Sequence, residues 1–254
     1  MNPTTTAMTA TARSQEHRLM IAAPPATVWK AITEAEELVR WFPLQAESTP
    51  GAGGSLTYGW GPELTGICRI EVWEPPRHLR TSWMEATVLE SGSAAKRRQL
   101  AVDWFIEGEG GRSMLRLVHS GFGRGAEWDE EYEGTRRGWI FELGSLKHYL
   151  ERHAGRARRA FWLLQPLQLA APQVWQRLTG PQGLVREGLL SSLRPGDRYR
   201  LVLAGGDSVE GTVQIHEPPF EFAGTAENLG DGLLRLGYCT TKTPATCGMP
   251  CSID

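Results

Sequence analysis

Pro24-Pro25-Ala26-Thr27-Val28-Trp29-Lys30-Ala31-Ile32-Thr33 returns later in the chain as Ala170-Ala171-Pro172-Gln173-Val174-Trp175-Gln176-Arg177-Leu178-Thr179. Valine, tryptophan and the closing threonine coincide at an offset of 146. Outward from this anchor, Gly66 meets Gly211, and Glu74-Pro75-Pro76 meets Glu217-Pro218-Pro219 at an offset of 143. Solenoid repeats recur at about 20–50 residues, so a period this long reads as a duplicated domain.

Within the first copy, Pro24 and Pro25 open a helix through Thr33, because proline suits the first turn, where its missing N–H has no helical partner. A second short helix follows around Ala35 to Trp41. From Gly53 the period changes to two: Leu56, Tyr58 and Trp60 alternate with small or polar residues. Strand runs at Gly66–Trp73, His78–Met84, Leu100–Ile106 and Ser113–Ser120 predict an antiparallel meander. A long helix over Asp129–Arg152 closes the copy, with Trp139, Leu143, Leu146 and Leu150 on one apolar face, acidic residues in its first turns and basic residues in its last. The expected class is α+β: a curved antiparallel sheet wrapped round its last helix.

The second copy has the same opening, with a strand near Trp162–Leu169, the Val174-Trp175 helix, and strands near Arg198–Leu203, Ser208–Ile215, Pro219–Thr225 and Leu233–Tyr238. From Val28 the first copy runs 122 residues to Leu150, whereas 80 residues follow Val174. The second copy is therefore expected to be incomplete, without a last strand and long helix. The expected organisation is a disordered tail over 1–16, an intact domain over 17–153, a linker over 154–160 and a truncated domain over 161–254. A sheet without its helix exposes apolar surface, so it should pack on the first domain or form a homodimer with a second chain.

Composition narrows the function classes. Hydrophobic residues make up 41% and charged residues 22%, with a net charge of −2, which points away from disorder and from nucleic acid as a partner. No stretch approaches about 18 apolar residues, and the Thr-rich start lacks the apolar core of a signal peptide, so no membrane span and a cytoplasmic location are expected. The basic run Arg152, His153, Arg156, Arg158 and Arg159 reads as a helix end plus linker, with a phosphate-binding patch as the alternative. Cys239, Cys247 and Cys251 lack paired spacing, which favours free thiols over zinc. His148 and His153, five apart, fall on different faces of a regular helix and make a poor metal pair. Neither a metal nor a cofactor is expected. Ser93-Ala94-Ala95-Lys96 matches S-x-x-K without its partner motifs, and the runs Gly51–Gly54 and Gly108–Gly111 read as turns.

Trp29 and Trp41 read as core. Tyr58, Trp60, Trp83, Trp104, Phe122, Trp139 and Leu143 are the expected lining of an apolar ligand cavity between sheet and helix, with ordinary core packing as the competing reading. Arg80 and Asp103 are expected on the solvated convex face. No constellation demands catalysis; His119, before Ser120-Gly121-Phe122, and Glu85 are the candidate general bases.

Ala23-Pro24-Pro25-Ala26-Thr27-Val28-Trp29-Lys30-Ala31-Ile32-Thr33, then Leu38-Val39-Arg40-Trp41-Phe42-Pro43, resembles the opening of the SRPBCC superfamily, which includes the START and Bet v1-like domains. The branch it resembles is the one named for the C-terminal domain of the activator of Hsp90 ATPase. Gly53-Gly54-Ser55-Leu56, Trp73-Glu74-Pro75-Pro76-Arg77-His78-Leu79, His119-Ser120-Gly121-Phe122 and Gly138-Trp139 agree in order. The resemblance covers residues 17 to 153 fully and 160 to 238 weakly. It implies the helix-grip fold with a cavity between sheet and long helix; the aromatic-rich interior without a catalytic constellation then makes binding of a small hydrophobic or aromatic ligand, without covalent chemistry, the expected function. It leaves as alternatives a cyclase- or hydrolase-type enzyme using the same cavity, or a chaperone-interaction domain with Hsp90 as partner. The N-x-N-x-W-H-W stretch of the eukaryotic activators is absent here, which places the chaperone reading last.

Overall fold

A computed structural model describes residues 12–61, 65–86, 100–161, 167–180, 182–188 and 192–238. The first unit runs β1 (Arg13–Ile21), α1 (Pro25–Thr33), α2 (Ala35–Leu38), β2 (Gln45–Thr49), β3 (Ser55–Gly59), β4 (Thr65–Glu74), β5 (His78–Ser82), β6 (Glu85–Ala86), β7 (Ala101–Glu109), β8 (Arg112–Phe122) and α3 (Ala126–His148). A π-helical turn, Tyr149–His153, extends α3. The strands form one antiparallel sheet in the order β1-β8-β7-β5-β4-β3-β2, with β6 on β4.

Register assigns the faces. Leu79 pairs with Trp104, Trp104 with Leu117, and Val102 with His119, so these side chains share the inner face. Trp139, Leu143, Leu146 and Leu150 join them in a single buried cluster, the packing that the apolar stripe of the helix predicts. On the outer face, as expected, Arg80 pairs with Asp103 and reaches Glu71 at 2.8 Å. Asp103 is nevertheless buried, because His78 also contacts it at 2.8 Å. The first strand begins at Arg13, inside the stretch expected to be a tail. Arg-Ser-Gln-Glu-His carries no apolar alternation, and its strand conformation comes from pairing with β8. Edge strand β2, Gln-Ala-Glu-Ser-Thr, gave no signal for the same reason.

The second unit contains α4 (Ala171–Thr179), β9 (Val185–Glu187), β10 (Arg198–Leu203), β11 (Ser208–Glu217), β12 (Glu221–Ala226) and β13 (Gly232–Gly237), in the sheet order β13-β12-β11-β10-β9. This is the order of β7-β5-β4-β3-β2. The register shifts between Val213 and Ile215 in β11 as it does between Ile70 and Val72 in β4, at the offset of 143 found in the sequence. Trp29 meets Trp73 at 5.0 Å between ring centroids, and Trp175 meets His216 at 6.3 Å. The sheet is a half-barrel, consistent with an incomplete second copy. Cys239, Cys247, Cys251, Ser93–Lys96 and most of the strand expected near Trp162–Leu169 lie outside the described residues. Among the described residues, no helix is long and apolar enough to cross a membrane.

The two units meet on a face that differs from the expected one. Cover was expected for the surface that a long helix would grip in the second copy, which carries Val213 and Phe222. The contact instead uses the opposite face. Ala223 pairs with Ile215 and with Arg235, and Ile215, Ala223 and Leu233 cluster with Phe141 and Ile140 on the back of α3. Gly144 faces Gln214 at this contact, where a Cβ would sit at an ordinary van der Waals distance of 3.7 Å from the amide oxygen. Thus α3 is gripped by the first sheet and backed by the second.

Candidate functional site

All seven residues expected to line a cavity are buried in the core of the first unit. Trp139 is central, with ring centroids 5.3 Å from Trp83 and 5.5 Å from Trp104. Phe42, which sequence reading did not single out as a site residue, links the rest: 5.1 Å to Tyr58, 5.5 Å to Trp60 and 6.3 Å to Trp139. It sits just after α2, in a segment too short to show periodicity. Trp41 donates its indole N–H to the Ala31 carbonyl at 2.8 Å, as befits a core residue.

The polar atoms within this cluster are unevenly satisfied. Trp139 donates its indole N–H to His119 Nδ1 at 3.0 Å. Since an indole can only donate, Nδ1 must be unprotonated, and the neutral ring carries its proton on Nε2. That Nε2 is buried without a hydrogen-bond partner, as is Trp60 Nε1. Across the strand pair, Gln15 faces His119; its amide nitrogen donates to the Tyr132 carbonyl at 2.6 Å and to Thr135 Oγ1 at 2.9 Å, while its Oε1 has no partner. Two residues along β1, His17 has an equally unpartnered Nε2.

Desolvation lowers the His119 pKa from 6.5 to about 3, with His17 adding to the effect. A histidine whose Nδ1 is occupied and which stays neutral far below pH 7 offers a fixed donor rather than a general base. Glu85 falls on β6, and its side chain lies outside the described residues.

The depressed His119 pKa has a consequence for stability. The unfolded chain takes up a proton near the ordinary pKa while the native ring stays neutral, so the unfolded state binds more protons at acid pH. The stability linked to this group is fully present above about pH 6.5 and is lost as pH falls toward about 3. Urea unfolding should show roughly 2 kcal/mol lost through this group between about pH 6.5 and 5. His17 and His148 are also lowered, chiefly by desolvation, and add to the slope. His119→Phe should remove its own share, so an identical slope in that variant would refute the assignment.

Where α3 ends, the structure brings together two histidines that a regular helix would separate. The π-helical turn advances five residues per hydrogen-bonded ring, which aligns His148 with His153. Their ring centroids lie 5.0 Å apart, and the two Nε2 atoms stand 2.6 and 3.0 Å from the backbone carbonyl of Asp231. Ligand-type atoms of His148, His153 and Asp231 lie within 4.8 Å of one another, so the expectation of a poor metal pair fails on geometry. Charge still opposes a dication, because Arg152 binds the Asp231 carboxylate and Arg40, Arg156 and Arg158 line the adjoining cavity.

Comparison with known proteins adds the following. The family model described as activator of Hsp90 ATPase homolog 1-like protein matches residues 22–151. Comparison with curated proteins gives no match. Among solved structures, a Mesorhizobium loti protein is 20% identical, with 56% of this chain and 99% of that one covered and a TM-score of 0.47. The Aha1 dimer from Colwellia psychrerythraea is 17% identical, with 56% and 99% covered and a TM-score of 0.48. CalU16 from Micromonospora echinospora is 26% identical, with 56% and 78% covered and a TM-score of 0.42.

Proposed function

We propose a function on the premise that this chain belongs to the activator of Hsp90 ATPase homolog 1-like family, whose model spans just over half of it. The first unit is a binding module for a small apolar or aromatic molecule that carries a hydrogen-bond acceptor. The observation behind this reading is the pair of orphaned donors, His119 Nε2 and Trp60 Nε1, buried within an otherwise apolar ring cluster. A buried donor without an acceptor costs about 1–3 kcal/mol, so a ligand oxygen placed against it recovers free energy that a hydrocarbon does not. The rings supply dispersion and shape, and the N–H groups supply orientation. Hydrolase or cyclase chemistry through His119 is disfavoured because its only basic nitrogen already accepts from Trp139.

Eight of the ten tryptophans lie in the first unit, from Trp29 to Trp139, so intrinsic fluorescence reports on the site. A titration should compare 2-acetylnaphthalene with 2-ethylnaphthalene, which has nearly the same shape but no acceptor. The ketone should bind about tenfold more tightly, and His119→Phe, which leaves Trp60 as the one orphaned donor of the pair, should reduce that preference while leaving far-UV circular dichroism unchanged. Equal affinity of the two probes for the natural protein, or no quenching by either, would sink the reading. Native mass spectrometry of the purified protein gives an independent check through a co-purifying ligand.

A further inference from the structure

The basic run at the end of the first unit folds back to line a cavity. Gly155, at φ 79°, turns the chain after the π-helical turn, and the Arg156 amide returns to the His153 carbonyl at 2.9 Å. Arg156 and Arg158 thereby face the helix end, where Arg40 joins them from the segment after α2. Arg40, Arg156 and Arg158, with His148 and His153, line a small pocket that is partly open to solvent. Ser145 and Tyr149 also line it, their hydroxyls donating to the Trp41 carbonyl at 2.9 Å and to Glu37 Oε2 at 2.5 Å, while Leu233 of the second unit forms an apolar wall and the lining itself contains no carboxylate.

The positions are held by other contacts. Arg40 is bonded to Glu37 and lies 3.5 Å from the Tyr149 hydroxyl. Arg158 donates to the Pro43 carbonyl at 2.6 Å and to the Phe42 carbonyl at 3.3 Å. Two carboxylates flank the lining, Glu37 bonded to Arg40 and Tyr149 and Asp231 bonded to Arg152, with Arg156 and Arg158 adding further positive charge to the lining. A helix C-terminus by itself repels anions. Here three guanidinium groups and a backbone N–H cap on the His153 carbonyl oppose that dipole at close range. Planar guanidinium groups match the oxygen spacing of phosphate.

We propose that this seam pocket binds a phosphate-type oxyanion, either free phosphate or the phosphate of a small monoester. Because Leu233 and the Asp231 carbonyl come from the second unit, the pocket is complete only when the two units are docked. The anion binds the docked state and stabilises it by mass action.

Calorimetry and thermal unfolding of the full chain test this with inorganic phosphate and with glycerol 3-phosphate, against chloride at equal ionic strength. Saturable binding and a raised Tm are expected with one or both phosphates and not with chloride. Tighter binding of the ester identifies a phosphorylated small molecule, and equal binding identifies free phosphate; both support the site. Arg156→Gln should weaken binding about tenfold or more, since an exposed arginine is removed from the lining without touching the core. Arg159→Gln removes the same charge from an exposed neighbour outside the lining and should change affinity less than about twofold. Equal losses in the two variants would reduce the effect to diffuse charge and overturn the proposal. So would the absence of saturation by about 10 mM phosphate, or zinc binding that His148→Ala abolishes while phosphate is inert.

Discussion

Trp139→Ala is expected to lower the stability of the first unit by about 3–5 kcal/mol, measured by urea unfolding of the full chain. The indole occupies the middle of the ring cluster, with ring centroids 5.3 Å from Trp83 and 5.5 Å from Trp104, and it donates to His119 Nδ1. Truncation removes the apolar area, leaves a cavity that rigid neighbouring rings cannot collapse into, and strands the His119 acceptor. Trp139→Phe separates these effects. It keeps a six-membered aromatic ring in place but loses the rest of the indole together with its N–H, so it should cost about 1–3 kcal/mol, less than the alanine variant, with the stranded His119 acceptor as one contribution. The expected order is natural protein, then Phe, then Ala. An alanine variant less than about 1 kcal/mol below the natural protein would mean that the cluster is not the core that holds sheet to helix.

Much of this arrangement was legible because it rests on periodicity. The alternation of Leu56, Tyr58 and Trp60, and the spacing of Trp139, Leu143, Leu146 and Leu150, each mark a face that must leave water, and those faces converge. The doubled Val-Trp anchor and the doubled Glu-Pro-Pro placed a helix and strands in the second unit, and its sheet is consistent with an incomplete second copy. Features without an apolar period were not legible. Gln15 and His17 lie in a polar stretch whose strand exists through pairing with β8, so the unpartnered atoms beside His119 left no trace in the pattern. The back of α3 escaped for a related reason. Arg136, Arg137, Ile140, Phe141, Gly144 and His148 recur at helical spacing, but their mixture of charge, apolar surface and glycine does not look like a buried stripe. The π-helical turn, which aligns His148 with His153, is a departure from regular helix geometry and has no local signature in Tyr149–His153.

That mixed stripe carries the largest expected effect between the two units. Arg235 of β13 stands over the Phe141 ring at 4.6 Å, 2.8 Å from Glu221 of β12 and 3.9 Å from Glu142 of α3. Its side chain is 7% exposed, and those of Glu221 and Glu142 are 3% and 5%. A cation held between two buried carboxylates contributes little net stability when complete, because desolvation offsets the attraction, but removing it leaves two carboxylates facing each other out of water. Arg235→Ala should therefore cost about 3–5 kcal/mol and loosen the second sheet from α3. Trypsin reads the loosening directly, since cleavage in the linker at Arg156, Arg158 or Arg159 should accelerate when the seam opens. Arg136→Ala is the matched control. Its pair with Glu217, at 2.9 Å, lies at the rim with the side chains 32% and 36% exposed, so its loss should change stability by about 0–1 kcal/mol and leave cleavage nearly unaltered. Replacing Arg235, Glu221 and Glu142 together by Met, Leu and Leu should restore docking, because no unpaired charge then remains buried. If Arg235→Ala proves as stable and as protease-resistant as Arg136→Ala, the charged triad does not hold the seam, and the apolar contact of Phe141 with Ile215, Ala223 and Leu233 must carry it alone.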